Sequence, residues 1–198
     1  MLRPLDTGFC IKYYALSRNA LSNISFLFTL DICDNSNLVK KYKNSIIEEV
    51  YYYLWEFIRK KCELFDGRIW SRSGDGSIIA FRNDGKMISG VACCMELLFS
   101  LPVFNTSPLK KIPDEINIRL GVDSGIVKFY NDTGSIVSDV INYASKLEKN
   151  ATCANGLSVS ENVYNETSPA IQKMFQSKKE YGGKTAYTLS FEYSKALS

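Results

Sequence analysis

Residues 68–81 constrain the fold of this chain most strongly, because two short β-rich runs flank a Gly-Asp-Gly tripeptide. The runs at 68–73 and 77–81 carry Ile, Trp, Ala and Phe, and the glycines at 74 and 76 suit a tight turn. This pattern predicts a β-hairpin with an acid, Asp75, at its tip.

The remaining apolar segments alternate between strand-like and helix-like spacing. The predicted strands lie at 25–30, 115–122 continuing into 126–129, 157–160 and 185–191, and the predicted helices lie at 45–62, 87–101 (ended by Pro102) and 140–149. Because hairpins replace regular β-α-β alternation, the pattern predicts an α+β fold with helices on one face of the sheet. We expect an N-terminal arm at 1–21, one domain at 22–192 and a short tail at 193–198.

The chain of 198 residues contains no histidine. This excludes a Ser-His-Asp or Cys-His centre and any metal site with histidine ligands. The formal net charge is only +3, and specific nucleic-acid binding normally requires clustered Lys and Arg. We therefore expect no nucleic-acid partner.

Six cysteines lack C-x-x-C spacing, and Cys62, Cys93 and Cys94 lie within apolar periodic segments. These three are expected to be buried, reduced thiols. The purely apolar runs are short, and the N-terminal residues have no signal-peptide pattern. The sequence thus predicts a cytoplasmic protein without a membrane span.

Two carboxylates stand out because each lies next to an apolar strand. Asp31 follows the strand at 25–30, and Asp75 lies at the hairpin tip. If the strand at 25–30 and the hairpin are neighbours in the sheet, we expect the two carboxylates to face the same site. Together with the backbone carbonyl of Ile32, they offer the oxygen ligands that Mg²⁺ or Mn²⁺ prefers. Taken singly, Asp31 is also typical of a helix cap, and an Asp-Gly pair at 75–76 is better explained as an ordinary type I′ turn.

Four motifs in order resemble the catalytic domain of class III nucleotidyl cyclases, the fold of adenylate and guanylate cyclases. The family pattern D-I-x-G-F-[ST] is met in part by DICDNS at 31–36, without the Gly and Phe, and G-D-x-x-x-A-x-F by GDGSIIAF at 74–81, with one residue of extra spacing. R-[IL]-G-[IV]-x-x-G corresponds to RLGVDSG at 119–125, and V-N-x-A-[AS]-R-L-E to INYASKLE at 141–148. Together they make a specific match where any one would be weak.

The resemblance implies a ferredoxin-like core and a head-to-tail homodimer, in which each site combines residues of both subunits. Asp31, Ile32 and Asp75 would hold two Mg²⁺ or Mn²⁺ ions on a nucleoside triphosphate. The loop that follows, with Ser36, would bind its phosphates at a helix N-terminus.

Three further residues take roles from the same resemblance. Asn142 would orient the ribose, and Lys146 stands where the family has an Arg that stabilises the transition state. A lysine supplies a point charge without the bidentate fork of an arginine. Lys184 would bind the β- and γ-phosphates, although a solvated turn lysine fits its pattern nearly as well.

Two positions select the base in the family, and here they are Ser71 and Ser135. Adenylate cyclases typically carry Lys and Asp or Thr there, and guanylate cyclases Glu and Cys. Two short hydroxyls would leave a purine edge unpaired, at a cost of about 1–3 kcal/mol per group. The compact chain resembles the stand-alone bacterial pyrimidine cyclases of Pycsar anti-phage systems, so UTP is favoured over CTP as substrate.

The cyclic UMP product would then act as a second messenger sensed by a separate effector protein. Two alternatives stay open: an adenylate or guanylate cyclase with an unusual pocket, and a catalytically degenerate cyclase-like dimer that only binds nucleotide. The Lys at 146 and the missing Gly-Phe after Asp31 favour the degenerate dimer, whereas both acids and Asn142 oppose it.

Overall fold

The computed structural model describes residues 24–82, 87–127 and 138–191. The predicted arm, the predicted tail and Ser135 lie outside these ranges. The strands are β1 (Ile24–Ile32), β2 (Arg68–Ser73), β3 (Gly76–Arg82), β4 (Ile118–Val127), β5 (Gly156–Ser160), β6 (Ser177–Tyr181) and β7 (Lys184–Ser190). The helices are α1 (Asn35–Lys41), α2 (Asn44–Glu63), α3 (Met87–Asn105), α4 (Asp139–Ala151), α5 (Glu161–Glu166) and α6 (Pro169–Gln172).

All seven of these strands form one sheet in the order β2-β3-β1-β4-β5-β7-β6. Neighbours are antiparallel, except that β4 and β5 are parallel. The predicted α+β fold and the hairpin at 68–81 are therefore confirmed. Strand β1 lies between β3 and β4, so the end of β1 that carries Asp31 adjoins both neighbours.

The main core lies between one face of the sheet and the two long helices. Alternate residues of β1 (Phe26, Phe28 and Leu30) pack with Leu54 of α2 and Leu97 of α3, and all five are at most 1% exposed. Cys62, Cys93 and Cys94 are free thiols buried in the same core. The prediction of buried, reduced cysteines is confirmed for these three.

Helix α4 corrects the prediction that helices cover only one face. Leu27, which alternates with Phe26 and Phe28 along β1, packs with Ala144 of α4 in a separate cluster on the opposite face. Gly121 of β4 makes this close approach possible, because a Cβ there would lie 2.1 Å from the carbonyl oxygen of Ala144. Strand β4 and α4 thus lie together next to the end of β1.

Helix α3 continues through Pro102 to Asn105, so the prediction that Pro102 ends it is wrong. Burial of Phe104 and paired hydrogen bonds between the Asn105 side chain and the backbone of Ile116 hold this last turn in place. These contacts stabilise the turn although a proline inside a helix removes one backbone hydrogen bond. The sequence also gave no prediction for α1, α5, α6 and β6, which are short or polar.

The apolar character of α3 is high enough for a membrane-spanning helix. Among the described residues, its window Ile88–Asn105 has a mean hydropathy of 1.6, and half of that window is buried inside the fold. Length and hydropathy alone are weak evidence for a span, because core helices meet the same criteria.

Candidate active site

The two predicted acids lie next to each other where strand β1 ends and strand β3 begins. Asp31 pairs with Gly76 in the β1–β3 register, and the N–H of Ile32 donates to the carbonyl of Asp75 at 3.2 Å. The antiparallel pairing of β1 and β3 thus places the strand end next to the hairpin tip. The condition for the predicted convergence of the two acids, that their strands are neighbours, is therefore met.

Asp31 forms an ion pair with Arg119, the residue opposite it on β4. The guanidinium Nη2 lies 2.5 Å from Asp31 Oδ2, and Arg119 Nε lies 3.2 Å from Oε1 of Glu148 on α4. The Asp31 and Arg119 side chains remain 18% and 28% exposed, whereas that of Glu148 is only 4% exposed. Two carboxylates therefore share one guanidinium.

The environment of Glu148 shifts its ionisation strongly. Burial, followed by the negative charge of Asp31, raises the pKa of Glu148 to about 7, against the opposing effect of Arg119. The facing atoms, Arg119 Nε and Glu148 Oε1, are both buried, and neither makes a hydrogen bond. The contact between them is therefore an ion pair without a hydrogen bond.

Asp75 has a different set of partners, which come from the first two helices. The amide Nδ2 of Asn35 donates to Asp75 Oδ2 at 2.6 Å, and the hydroxyl of Tyr51 donates to Asn35 Oδ1 at 2.5 Å. Burial and the charges of Asp75 and Asp31 raise the pKa of Tyr51 to about 12. This tyrosine therefore stays protonated, and remains a donor, at neutral pH.

The loop between β1 and α1 contains a left-handed turn at the position where the cyclase motif has glycine. Asp34 occupies that position with φ 57° and ψ 24°, a conformation that Asp tolerates better than most residues. Its Oδ1 accepts a hydrogen bond from the Asn37 side chain at 2.6 Å. Ser36 lies exposed in the first turn of α1, near the phosphate position that the resemblance implies.

Lys146 and Lys184 form a second group around Tyr143. Lys184 Nζ lies 4.8 Å from the centre of the Tyr143 ring, and a Cβ on Gly182 would lie 3.9 Å from Cδ of Lys146. Asn142 lies exposed on the same helix, one turn before Lys146. The structure thus places Lys146 and Lys184 near each other beside the Gly182 turn, with Asn142 on the same helix as Lys146.

This second group lies at the opposite end of the sheet from the acids. Asp31 pairs with Arg119, and Arg119 pairs with Gly156 at the start of β5. The other end of β5, Ser160, pairs with Ala186, two residues after Lys184 at the start of β7. Among the described residues, no hydrogen bond or ion pair joins the two groups. One chain alone does not bring the acids and these lysines into a single site.

Ser71 is half-buried on β2 and pairs with Ile78 of β3, next to an irregularity in the strand register. It lies on the hairpin that carries Asp75. The other base-selecting position, Ser135, is outside the described residues. Neither Lys nor Glu occupies position 71.

The donor set at the acids fits a divalent cation. Asp31 and Asp75 offer carboxylate oxygens, and Ile32 contributes a backbone carbonyl directly after Asp31, which are the hard ligands that Mg²⁺ and Mn²⁺ prefer. In the described part of the chain, no cluster of three or more His, Cys, Asp or Glu side chains could enclose a metal ion. An open site of two acids suits ions that also bind phosphate oxygens.

Four neighbours of the acids were not predicted as site residues: Arg119, Glu148, Asn35 and Tyr51. Arg119 and Glu148 lie within the quoted motifs, so their positions in β4 and α4 were available as a signal. Asn35 lies where the family has Phe, which obscured its contact with Asp75. Tyr51 is one of three adjacent tyrosines, and no local pattern marks it as different.

Comparison with known proteins identifies the fold. No protein-family model matches the chain, and no curated protein matches it by sequence. The guanylate cyclase domain of RhGC from Catenaria anguillulae, solved in complex with GTP, has a TM-score of 0.68 and 17% identity, over 84% of this chain and 94% of that one. The adenylyl cyclase CyaB from P. aeruginosa has a TM-score of 0.70 and 16% identity, over 89% of this chain and 97% of that one.

A third similar structure, the adenylate/guanylate cyclase/hydrolase from Silicibacter pomeroyi, has a TM-score of 0.68 and 19% identity, over 85% of this chain and 97% of that one. These likenesses cover nearly the whole length of each cyclase domain. The chain therefore has the fold of the class III nucleotidyl cyclase catalytic domain.

Proposed function

We propose that this protein is a nucleotidyl cyclase that converts a nucleoside triphosphate to its 3′,5′-cyclic monophosphate and pyrophosphate. The observation that carries the proposal is the adjacency of Asp31 and Asp75 on neighbouring strands, with Arg119 paired to Asp31, within a cyclase fold. Retention of both acids in contact with further polar residues argues against a degenerate binding module.

The acids would hold two Mg²⁺ or Mn²⁺ ions, with the carbonyl of Ile32 as a further ligand. Such ions supply Lewis-acid polarisation of the ribose 3′-hydroxyl and of the phosphate oxygens. Arg119 offers N–H donors that fit a phosphate oxygen. Ser36, exposed in the first turn of α1, and the N–H groups at the start of that helix would bind the phosphates.

The remaining groups would come from a second copy of the chain in a head-to-tail homodimer. A head-to-tail arrangement is favoured because it brings the end of one sheet that carries the acids against the opposite end of the other sheet. There, Asn142 of the partner subunit orients the ribose, and Lys146 of the partner subunit supplies positive charge to the transition state. Lys184 of the partner subunit binds the terminal phosphates.

In the reaction the 3′-oxygen attacks the α-phosphorus in line, and the bond from that phosphorus to the β-phosphate oxygen breaks. The proton of the hydroxyl passes to Asp31 or to a substrate phosphate, and pyrophosphate leaves. No histidine is needed at any point.

For the base, we propose a pyrimidine, with UTP preferred to CTP. Ser71 supports this choice, because a short hydroxyl on β2 makes neither the lysine contact of adenylate cyclases nor the glutamate contact of guanylate cyclases. A purine cyclase with an unusual pocket is the second candidate, which the likeness to adenylyl and guanylyl cyclases favours.

The test is incubation of the purified protein with ATP, GTP, CTP or UTP and Mn²⁺, with products identified by mass spectrometry. We expect cyclic UMP and pyrophosphate, both lost in Asp75→Ala and kept in Glu166→Ala, which removes an exposed carboxylate at the end of α5. A cyclic purine would contradict the base assignment alone. Absence of every cyclic nucleotide would contradict the cyclase proposal.

We further propose that the cyclic nucleotide acts in the cytoplasm as a second messenger of bacterial antiviral defence, sensed by a separate effector protein. This rests on the resemblance to stand-alone pyrimidine cyclases. Measurement of cyclic UMP in bacteria before and after phage infection, with the wild-type chain and with Asp75→Ala, would test it. An unchanged cyclic UMP level on infection would contradict this role.

A further inference from the structure

The hairpin tip that carries Asp75 receives no steric support from its neighbours in sequence. Gly74 and Gly76 flank it, and Gly74 has a left-handed φ of 61°. A carboxylate between two glycines would sample several rotamers unless another element held it. In the described part of the chain, the side chain of Asn35 of α1 donates a hydrogen bond to the Asp75 carboxylate.

Asn35 connects this hairpin to the long helix α2. Its amide donates to Asp75 Oδ2 at 2.6 Å and its carbonyl accepts from the Tyr51 hydroxyl at 2.5 Å. A tyrosine hydroxyl can donate or accept, and here it donates to Asn35 Oδ1, whereas the ionised Asp75 carboxylate can only accept. The NH₂ group is thereby directed at Asp75.

The two contacts have complementary chemistry. An ionised carboxylate only accepts hydrogen bonds, so the amide donor stabilises the charged form of Asp75 in one orientation. Oδ2 is engaged by the amide, which leaves Oδ1 available to a cation. Tyr51 and Asn35 are both half-buried, so these hydrogen bonds are shielded in part from water.

We propose that Asn35 and Tyr51 are positioning residues that orient Asp75 for its divalent cation, with Tyr51 acting through Asn35. The inference rests on the proposed metal role of Asp75 in the cyclase reaction. Asn35 stands at a position where the cyclase motif has Phe, so an amide-based support here is a feature of this chain. Residues of this kind around metal ligands commonly change metal affinity about 10–100-fold when removed.

The test is a Mn²⁺ titration of the full chain, in which electron paramagnetic resonance measures free Mn²⁺. The titration contains a mixture of the four 3′-deoxynucleoside triphosphates, which lack the attacking hydroxyl and cover every base. Asn35→Ala should weaken Mn²⁺ binding about tenfold or more, and Tyr51→Phe about threefold. Tyr52→Phe, which removes the hydroxyl of the exposed tyrosine next to Tyr51, should leave Mn²⁺ binding unchanged.

A double variant separates positioning from a general structural role. If Tyr51 acts through Asn35, adding Tyr51→Phe to Asn35→Ala should cause no further loss of Mn²⁺ affinity. Additive losses, or unchanged Mn²⁺ binding in Tyr51→Phe and Asn35→Ala, would overturn the inference while leaving the metal role of Asp75 intact. If the wild-type chain binds no Mn²⁺ above the level of Asp75→Ala, the proposed metal role itself fails, and this inference fails with it.

Discussion

Glu148 of α4 competes with Asp31 for the same guanidinium, that of Arg119. Glu148 is buried against Gly121. A Cβ added to Gly121 would lie 2.7 Å from the Cβ of Glu148. Because water has little access, the charged form of Glu148 depends on Arg119 for stabilisation. Arg119 is divided between this buried carboxylate and Asp31.

The raised pKa of Glu148 makes the stability of the metal-free protein depend on pH. Its folded-state pKa is about 7, above the usual value of 4.5, so between these values the folded state holds a proton that the unfolded state has lost. The free energy of unfolding should therefore fall as pH rises through this range, by about 2 kcal/mol from pH 5.5 to 7.5, and level off above it. The chain contains no histidine that would titrate in the same window.

Urea unfolding in EDTA at pH 5.5, 6.5 and 7.5 measures this dependence, and Glu148→Gln is the matched variant. The variant should show a nearly flat profile over that range, because its amide does not titrate. Parallel profiles for the two proteins would assign the pH dependence to other groups.

Asp34 provides a second prediction for a single residue, because it holds the left-handed turn before α1. Asp34→Gly should change the free energy of unfolding by less than about 0.5 kcal/mol, since glycine adopts this conformation without strain. Asp34→Val should lower it by about 1–2 kcal/mol, because a β-branched side chain is strained at φ 57°. Equal stabilities of the two variants in urea unfolding would indicate a different backbone in this loop.

At the scale of elements, strong patterns were predictable and weak ones were not. The apolar run of β1, the Gly-Asp-Gly turn and the amphipathic helix α2 each carry a local signal, and each was confirmed. Strand β6 is mostly exposed and carries Lys178, Lys179 and Glu180, so its position at the sheet edge depends on pairing with β7. No local sequence pattern reports such pairing.

The candidate site was predictable to a similar degree. Asp31 and Asp75 follow from strand ends and motif spacing, whereas the contacts of Asn35 and Tyr51 join residues 40 and 16 positions apart. The position of α4 on the opposite face depends on the close approach of the Ala144 backbone to Gly121 of β4. These are tertiary contacts, and the spacing of apolar residues within α4 does not reveal them.

The contact of α4 with β4 is testable at Gly121. Gly121→Ala would place a methyl group 2.1 Å from the carbonyl oxygen of Ala144 and 2.5 Å from the N–H nitrogen of Glu148. Helix α4 must then move, and we expect a loss of about 3 kcal/mol in the free energy of unfolding. In Gly76→Ala the nearest atoms lie at an ordinary 3.7 Å, so its loss should be much smaller, and equal losses in urea unfolding would contradict this packing.

At the scale of the whole molecule, the acids and the group around Tyr143 occupy opposite ends of one sheet. If both groups belong to one reaction, each site requires two chains in head-to-tail contact. A homodimer then contains two composite sites, each with acids from one subunit and Lys146 from the other. This arrangement is the central claim of the proposed mechanism.

Mixing two inactive variants tests that claim most directly. Asp75→Ala and Lys146→Ala are purified separately, then combined in equal amounts under conditions of subunit exchange, and the cyclic nucleotide is measured with Mn²⁺ and the four nucleoside triphosphates. Each variant alone should lose about 100-fold or more in rate. The mixture should recover about one quarter of wild-type activity, because half of the dimers are mixed and each has one intact site. No recovery, in a mixture shown to contain mixed dimers, would contradict a site shared between subunits.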